Sequence, residues 1–372
     1  MWRCALAISA RLLARCWDVD RRMAIALLVV GVASTVAASA PPASPIRDAY
    51  RAFVDRLPVT QPAYAAQRVP AFLEGFDWVL SEPAPPGVRF QSRRRRPDPA
   101  TVFAVPSALP ALLQEVARSL DRGRRAHRVV VFAADDLPLS AALGPNHTAR
   151  AASVALLRHY FARIFYEGTD MRVEGISTMP IGLSEFYLAR GVWRNASEAM
   201  ERASLERKPH VALAAWNAYW SLDNPSRLQA GHFARSLPAR QAGVEVALLD
   251  RRAWWGELSK YKFLLIPMGS RIQCVKMIES LLVLTIPIIQ RGRYKWGADR
   301  GGHTTLYFSR SARHADGAYA APDDLLAMGF PIVVVDYWRE ISAANLSRWW
   351  DELSPRLISF RQNCLTSEGL WS

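Results

Sequence analysis

Glu279 and Lys276 lie three residues apart behind a short turn that holds Gly269, Ser270 and Arg271. The run from Tyr261 to Ile289, YKFLLIPMGSRIQCVKMIESLLVLTIPII, reads as a buried strand to Pro267, a turn, and a helix from Gln273 to Leu284. Unpaired backbone amides at the start of such a helix, with its partial positive charge, suit a diphosphate. Arg271 and Lys276 add full positive charges, and the Glu279 carboxylate accepts two hydrogen bonds of the kind a ribose diol donates. The same letters also describe an ordinary i,i+3 surface pair, Lys276 with Glu279. Its helix would bury Val275, Ile278, Leu281 and Leu282.

A second group of acids follows another apolar run. Arg128-Val129-Val130-Val131-Phe132-Ala133 leads into Asp135 and Asp136, as a buried strand leads into an active-site loop. A cap or loop pair is the alternative. Asp336 ends a strand; Glu185 and His303 are further polar residues in loop-like surroundings.

Several chemistries lack their residues. The one Asp-x-Asp, Asp18-Val19-Asp20, falls outside the globular region. No Gly-x-x-x-x-Gly-Lys-Ser/Thr loop, no Gly-x-Ser-x-Gly elbow and no His-Glu-x-x-His occurs, which disfavours phosphate-loop hydrolysis, an α/β-hydrolase and a zinc enzyme, so no metal site is expected. The 372 residues carry 47 basic against 33 acidic side chains, a net charge of +14. Most basic residues are scattered arginines. The one dense run, Arg93 to Arg96, reads as a solvated loop, an anion-binding segment or a processing site, without any nucleic-acid signature, so no nucleic-acid partner is expected.

The elements that must position these residues alternate. Helical spacing covers Leu109–Leu120 and Ala151–Tyr166, and a further helix is expected at Glu198–Arg207. From Lys208 onward, strands at His210–Ala215, Val244–Leu248, Phe263–Pro267, Ile286–Gln290 and Ile332–Asp336 alternate with helices at Pro225–Ser236, Trp254–Ser259, Asp323–Met328 and Ala343–Leu353. That rhythm predicts an α/β protein with doubly wound parallel sheets, in two halves facing a cleft.

Residues 23–40, MAIALLVVGVASTVAASA, are uncharged and follow five arginines against two aspartates. The positive-inside rule makes them a signal anchor with the rest of the chain on the far side; a cleaved signal and a buried helix are the alternatives. Sequons at Asn146, Asn195 and Asn345 agree with a secretory route. Cys274 and Cys364 would then be lumenal, where a disulfide is permitted but not required.

Phe263-Leu264-Leu265-Ile266-Pro267-Met268-Gly269, then Glu279-Ser280-Leu281, then Ile286-Pro287-Ile288-Ile289 resembles the C-terminal motif of exostosin-like glycosyltransferases, in particular algal and protist members. Phe330–Trp338 continues the likeness, which spans about 208–357. The resemblance implies a GT-B fold of two Rossmann-like domains and a nucleotide-sugar donor seated on the second domain with its ribose on Glu279. It also implies inverting transfer to a glycan or polysaccharide without an obligatory metal or other cofactor, and a type II Golgi membrane protein. The division that follows is a cytoplasmic tail at 1–22, the anchor at 23–40, and a stem with the start of the first domain at 41–100. An acceptor-side domain at 101–207 and a donor-binding domain at 208–372 complete it.

Such a transfer needs a base for the acceptor hydroxyl, for which Asp136 and Asp135 are the candidates, and groups for the leaving diphosphate. Those are Glu279, Arg271 and Lys276, with the amides of Gly269 and Ser270. Three departures weigh against activity: Met268 replaces a common Arg, Val275 and Lys276 stand where His and Arg are frequent, and Leu284 replaces a Gly. A catalytically inactive binder of the same fold is therefore the alternative. A Golgi sulfotransferase would need an early phosphate-binding strand–loop–helix that the sequence lacks.

Overall fold

Val129 to Phe132, four consecutive buried residues, form a middle strand of the six-stranded first sheet in the computed structural model; a five-stranded sheet and a two-stranded hairpin follow among the described residues. The structure describes residues 76–81, 91–134, 137–182, 192–216, 225–269, 272–291, 294–298, 304–308 and 320–365. Segment 23–40, and with it the expected tail and anchor, lies outside them, as do Asp135, Asp136, Glu185, Ser270, Arg271 and His303. Among the described residues no helix is long and apolar enough to cross a membrane.

The first sheet is built from β1 (Trp78–Ser81), β2 (Gln91–Arg94) and β3 (Thr101–Ala104), then α1 (Leu109–Ser119) and β4 (Val129–Phe132). It continues through α2 (Leu139–Leu143), α3 (His147–Tyr160), β5 (Arg163–Tyr166) and β6 (Ile176–Thr178). Its strand order is β2-β1-β3-β4-β5-β6, with β2 antiparallel at the edge and the other five parallel. The spacing predicts one helix from Ala151 to Tyr166. The structure starts it earlier, at His147, where the Asn146 side chain accepts from the Ala149 amide at 2.9 Å. It ends the helix at Tyr160, because the β-branched and aromatic run Ile164-Phe165-Tyr166 pairs with β4 instead.

The second unit opens with α4 (Val192–Arg202), whose Ala196, Ala199 and Met200 lie in its core. Then come β7 (His210–Ala214), α5 (Pro225–Ala234), α6 (Leu237–Gln241), β8 (Val244–Val246), α7 (Trp254–Leu258) and β9 (Tyr261–Ile266). The chain goes on through α8 (Lys276–Leu282), β10 (Ile286–Gln290), the hairpin β11 (Tyr294–Ala298) and β12 (Thr304–Phe308), α9 (Ala320–Ala327), β13 (Val333–Val335) and α10 (Ala343–Cys364). The all-parallel order β13-β10-β9-β7-β8 gives the α/β class with two sheets that the alternation of elements predicts. Pro287 sits inside β10 but precedes the stretch paired with β13, Ile288–Gln290, so its missing N–H takes no bond from that ladder.

Two departures from expectation have clear causes. Helix α10 runs eleven residues past the expected stop at Leu353, through Pro355. Leu346, Leu353, Leu357, Phe360 and Cys364 keep one buried stripe along it, which outweighs the cost of about 3 kcal/mol for an interior proline. Helix α8 begins at Lys276 rather than Gln273 and closes on a left-handed residue, Leu284, with φ of 60°. The Thr285 amide reaches back to Ser280 O at 2.8 Å and the Leu284 amide to Leu281 O at 3.1 Å, the paired bonds of a Schellman cap. A glycine is the usual choice at that position. The buried Lys208 ammonium shares its three N–H groups among four acceptors, Ser259 O, Tyr261 O, Val283 O and Thr285 Oγ1, at 2.9–3.1 Å, satisfying the end of α8. Burial, with Arg361 nearby, pulls its pKa down to about 7.

Candidate functional site

In the second sheet the chain leaves β7 in one direction to form β8, then crosses back to β9, β10 and β13. Between β7 and β9 the carboxyl ends therefore feed loops that part to opposite sides, the place where open α/β sheets form a ligand crevice. After β7 come Ala215 and Trp216; after β9 come Pro267, Met268 and Gly269.

Lys276, Glu279 and Trp254 meet at this point. The Lys276 ammonium donates to Ala215 O at 2.7 Å, tying α8 to the end of β7, and lies 4.3 Å from the centre of the Trp254 ring. Trp254 Nε1 donates to Glu279 Oε2 at 2.8 Å. Glu279 is 0% exposed, and its Oε1 has no hydrogen-bond partner among the described residues. Burial raises its pKa to about 7, against the opposing influence of Lys276 and the Trp254 bond. Burial lowers the pKa of Lys276. These two residues are not the exposed surface pair that their spacing also allows. The neighbouring Cys274 is a free thiol, so it forms no disulfide with Cys364. Burial raises its pKa, while the adjacent Lys276 charge and amide work the other way.

The expected row of free amides is largely spent. Met268 N donates to Ser226 Oγ at 3.0 Å. Met277 N bonds Cys274 O, and Ile278 N and Glu279 N both bond Val275 O, at 2.9–3.1 Å. Gly269 is buried within this turn. Charge for a bound diphosphate must then come from side chains: Lys276 is in place, and Arg227 lies close enough for its charge to act on that lysine. Met268, 4% exposed, lines a small apolar cavity with Ile266, Met277, Ile289 and Leu325, and Val275 packs against the core, which accounts for their departing from the charged residues of the resembled motif.

Across from this crevice lie the carboxyl ends of the first sheet. Gln273, from the turn after β9, donates to Glu167 O at 2.6 Å and Met179 O at 2.7 Å, and its Oε1 accepts from Ile181 N at 2.8 Å. Helix α9 adds Ala321 N to Thr169 O at 3.2 Å, a bond from Thr178 Oγ1 to Asp324, and an Arg172–Asp324 ion pair at 3.6 Å. The strand ends of β5 and β6 therefore face those of β9 and β10.

The loop that leads to Asp135 and Asp136 begins in a conformation that L-residues avoid: Ala134 has φ of 68°. Its amide donates to Glu167 Oε2 at 3.2 Å, and Glu167 is 7% exposed. Asp336, at the carboxyl end of β13, accepts from Arg291 at 2.9 Å, and Arg291 also pairs with Asp323 of α9 at 2.7 Å, so this acid is held in an ion-pair network at the crevice end of the sheet.

Three residues that sequence reasoning left out thus belong to the site: Trp254, Gln273 and Glu167. Trp254 had a faint signal, an adjacent Trp pair ahead of the Tyr261 strand; the other two had none, because their partners lie about a hundred residues away or are backbone atoms. No family model matches the chain, and no curated protein does.

Proposed function

We propose that the chain is a glycosyltransferase of the exostosin-like type with a GT-B arrangement, moving a sugar from a nucleotide-sugar, a UDP-sugar in the first instance, to a glycan or polysaccharide. The observation that carries this reading is the buried Glu279 carboxylate at the switch point, one oxygen held by Trp254 and the other unpartnered among the described residues. Such an oxygen is matched to a hydroxyl donor. Glu279 is enclosed, so entry of a nucleoside requires the crevice around Ala215 and Trp254 to part. Binding and closure are coupled in this reading.

The acceptor hydroxyl attacks the anomeric carbon from the first-sheet side, the bond to the diphosphate breaks, and a base takes the hydroxyl proton. Asp136 or Asp135 is assigned that proton. Lys276 and Arg271 are assigned the diphosphate charge, with Gly269 and Ser270 lining the turn and no resident metal or other cofactor. Residues 23–40 are assigned the membrane anchor of a Golgi type II protein, with the unit of the first sheet as its acceptor domain and the unit that opens with α4, rather than at residue 208, as its donor domain.

The second reading, a nucleotide or glycan binder without turnover, is favoured by the spent amides at the start of α8 and by the apolar packing of Met268 and Val275. A panel of nucleotide-sugars tested by thermal shift, followed by release of nucleoside diphosphate, separates the two. A shift with UDP-sugar that Glu279→Ala abolishes, together with turnover, supports the transferase. A shift without turnover supports the binder. No shift with any nucleotide overturns the transferase and leaves a glycan binder or an inactive relic of the fold.

A further inference from the structure

Between residues 93 and 128 the chain carries nine arginines against three acids, a surplus of six in a protein whose net charge is +14. The structure gathers most of these on one surface. Glu115 is shared by Arg94 at 2.7 Å and Arg118 at 2.5 Å; Asp98 is shared by Arg124 and Arg128, each at 2.6 Å. Arg96 adds a longer contact to Asp77 at 3.4 Å. Arg122 and Arg125, on the 3-10 turn Arg122–His127, donate to neutral groups, Tyr160 OH and Phe161 O, both at 3.3 Å. Each acid that serves two guanidiniums leaves one positive charge uncompensated. The side chains remain open to solvent: Arg96 is 61%, Arg124 66% and Arg118 75% exposed. The patch sits at the amino ends of β3 and β4, the opposite edge of the sheet from the carboxyl ends that face the second unit.

We propose that this surface binds a linear acidic polysaccharide bearing carboxylate or sulfate groups. Guanidiniums pair with either group through two parallel hydrogen bonds. The large aromatics beside the arginines, Phe76, Trp78 and Tyr160, are all buried, which among the described residues leaves only the small imidazole rings of His127 and His159 exposed there, a poor platform for stacking successive nucleic-acid bases. Among the described residues none of the exposed large apolar side chains lies on the first sheet or its helices, so nothing there would anchor in a bilayer. A hydrophilic, flexible polyanion is the partner that needs charge alone. The inference stands independently of the donor crevice, and failure of either leaves the other intact.

The test measures binding of the protein to polygalacturonate and dextran sulfate, with neutral dextran, a single-stranded oligothymidine and phosphatidylserine vesicles as comparators. Wild type is expected to bind the two acidic glycans with steep salt dependence and to ignore neutral dextran. The quadruple variant Arg118→Gln, Arg122→Gln, Arg124→Gln, Arg125→Gln should weaken that binding by at least about tenfold and flatten its salt dependence. A charge-matched control in exposed arginines of the second unit, at Arg202, Arg207, Arg348 and Arg356, should stay within about twofold. Should the quadruple variant unfold, Arg118→Gln with Arg125→Gln carries the same comparison at roughly half the logarithmic loss. Equal losses in patch and control variants, no binding by wild type at low salt, or tighter binding to the oligonucleotide or the vesicles overturns the proposal.

Discussion

Trp254 and Glu279 are joined at the topological switch of the second sheet: the indole Nε1 donates to one carboxylate oxygen at 2.8 Å, and the other oxygen has no partner among the described residues. The bond spans 25 residues and fixes the acid that the motif singles out. Trp254→Phe keeps an aromatic ring beside Lys276 and removes the donor together with part of the indole's buried volume. It leaves a fully buried carboxyl without either bond, which costs about 1–3 kcal/mol. Urea unfolding of Trp254→Phe, Glu279→Gln and the double variant should give a coupling of about 1 kcal/mol or more. Additive losses would show that the two side chains do not act together.

The same acid sets a pH dependence. Glu279 is raised from 4.5 to about 7 in the folded chain, first by burial. Between those values the folded state keeps a proton that the unfolded state has released, so stability falls as pH rises. The contribution is complete below about 4.5 and gone once pH has passed about 7. Melting temperature in wild type should therefore decline across this window more steeply than in Glu279→Gln, which cannot titrate. Parallel curves for the two proteins would remove Glu279 as the cause.

Much of the second sheet was legible because its strands are short apolar runs with punctuated ends: Ile286–Gln290 is found with the expected bounds, and β7, β9 and β13 differ by no more than two residues at either end. The first sheet was harder to read. Thr101-Val102-Phe103-Ala104 and Arg163-Ile164-Phe165-Tyr166 are only four residues long and run into neighbouring helices without a break in apolar spacing. At the site, Glu279 and Lys276 could be picked out by type and spacing. That Glu279 is buried and Lys276 half-buried could not, because burial comes from Trp254 and Ala215 on other elements. The helix start was misplaced for a related reason. Gln273 is polar in a helical pattern, but its side chain is committed to three backbone groups of the residues after β5 and β6.

That commitment makes Gln273 the test of how the two sheets face each other. Gln273→Leu keeps the volume and leaves Ile181 N, Glu167 O and Met179 O without their bonds. Each buried group left unpaired in this way costs about 1–3 kcal/mol. The Ile181 amide should exchange with solvent at least about tenfold faster, each factor of ten being about 1.4 kcal/mol. Amides in the middle of β4 should change less. Unchanged exchange at Ile181 would mean that Gln273 does not hold the facing edges together.

Leu284 sets two effects against each other. Its left-handed φ of 60° costs a residue with a Cβ about 1–2 kcal/mol, which glycine avoids. Its side chain is 1% exposed in the core, and truncating such a leucine costs about 2–5 kcal/mol. Packing outweighs backbone strain here, so Leu284→Gly is expected to destabilise the protein even though it restores the residue that the cap geometry prefers. Leu284→Ala loses nearly the same side chain and keeps the strained backbone, so it should be less stable than Leu284→Gly by about 1 kcal/mol. That order reverses the usual preference for alanine over glycine within helices. Denaturant midpoints of the three proteins decide it: wild type first, glycine second, alanine third. Alanine matching or exceeding glycine would mean that Leu284 does not hold the left-handed cap in solution.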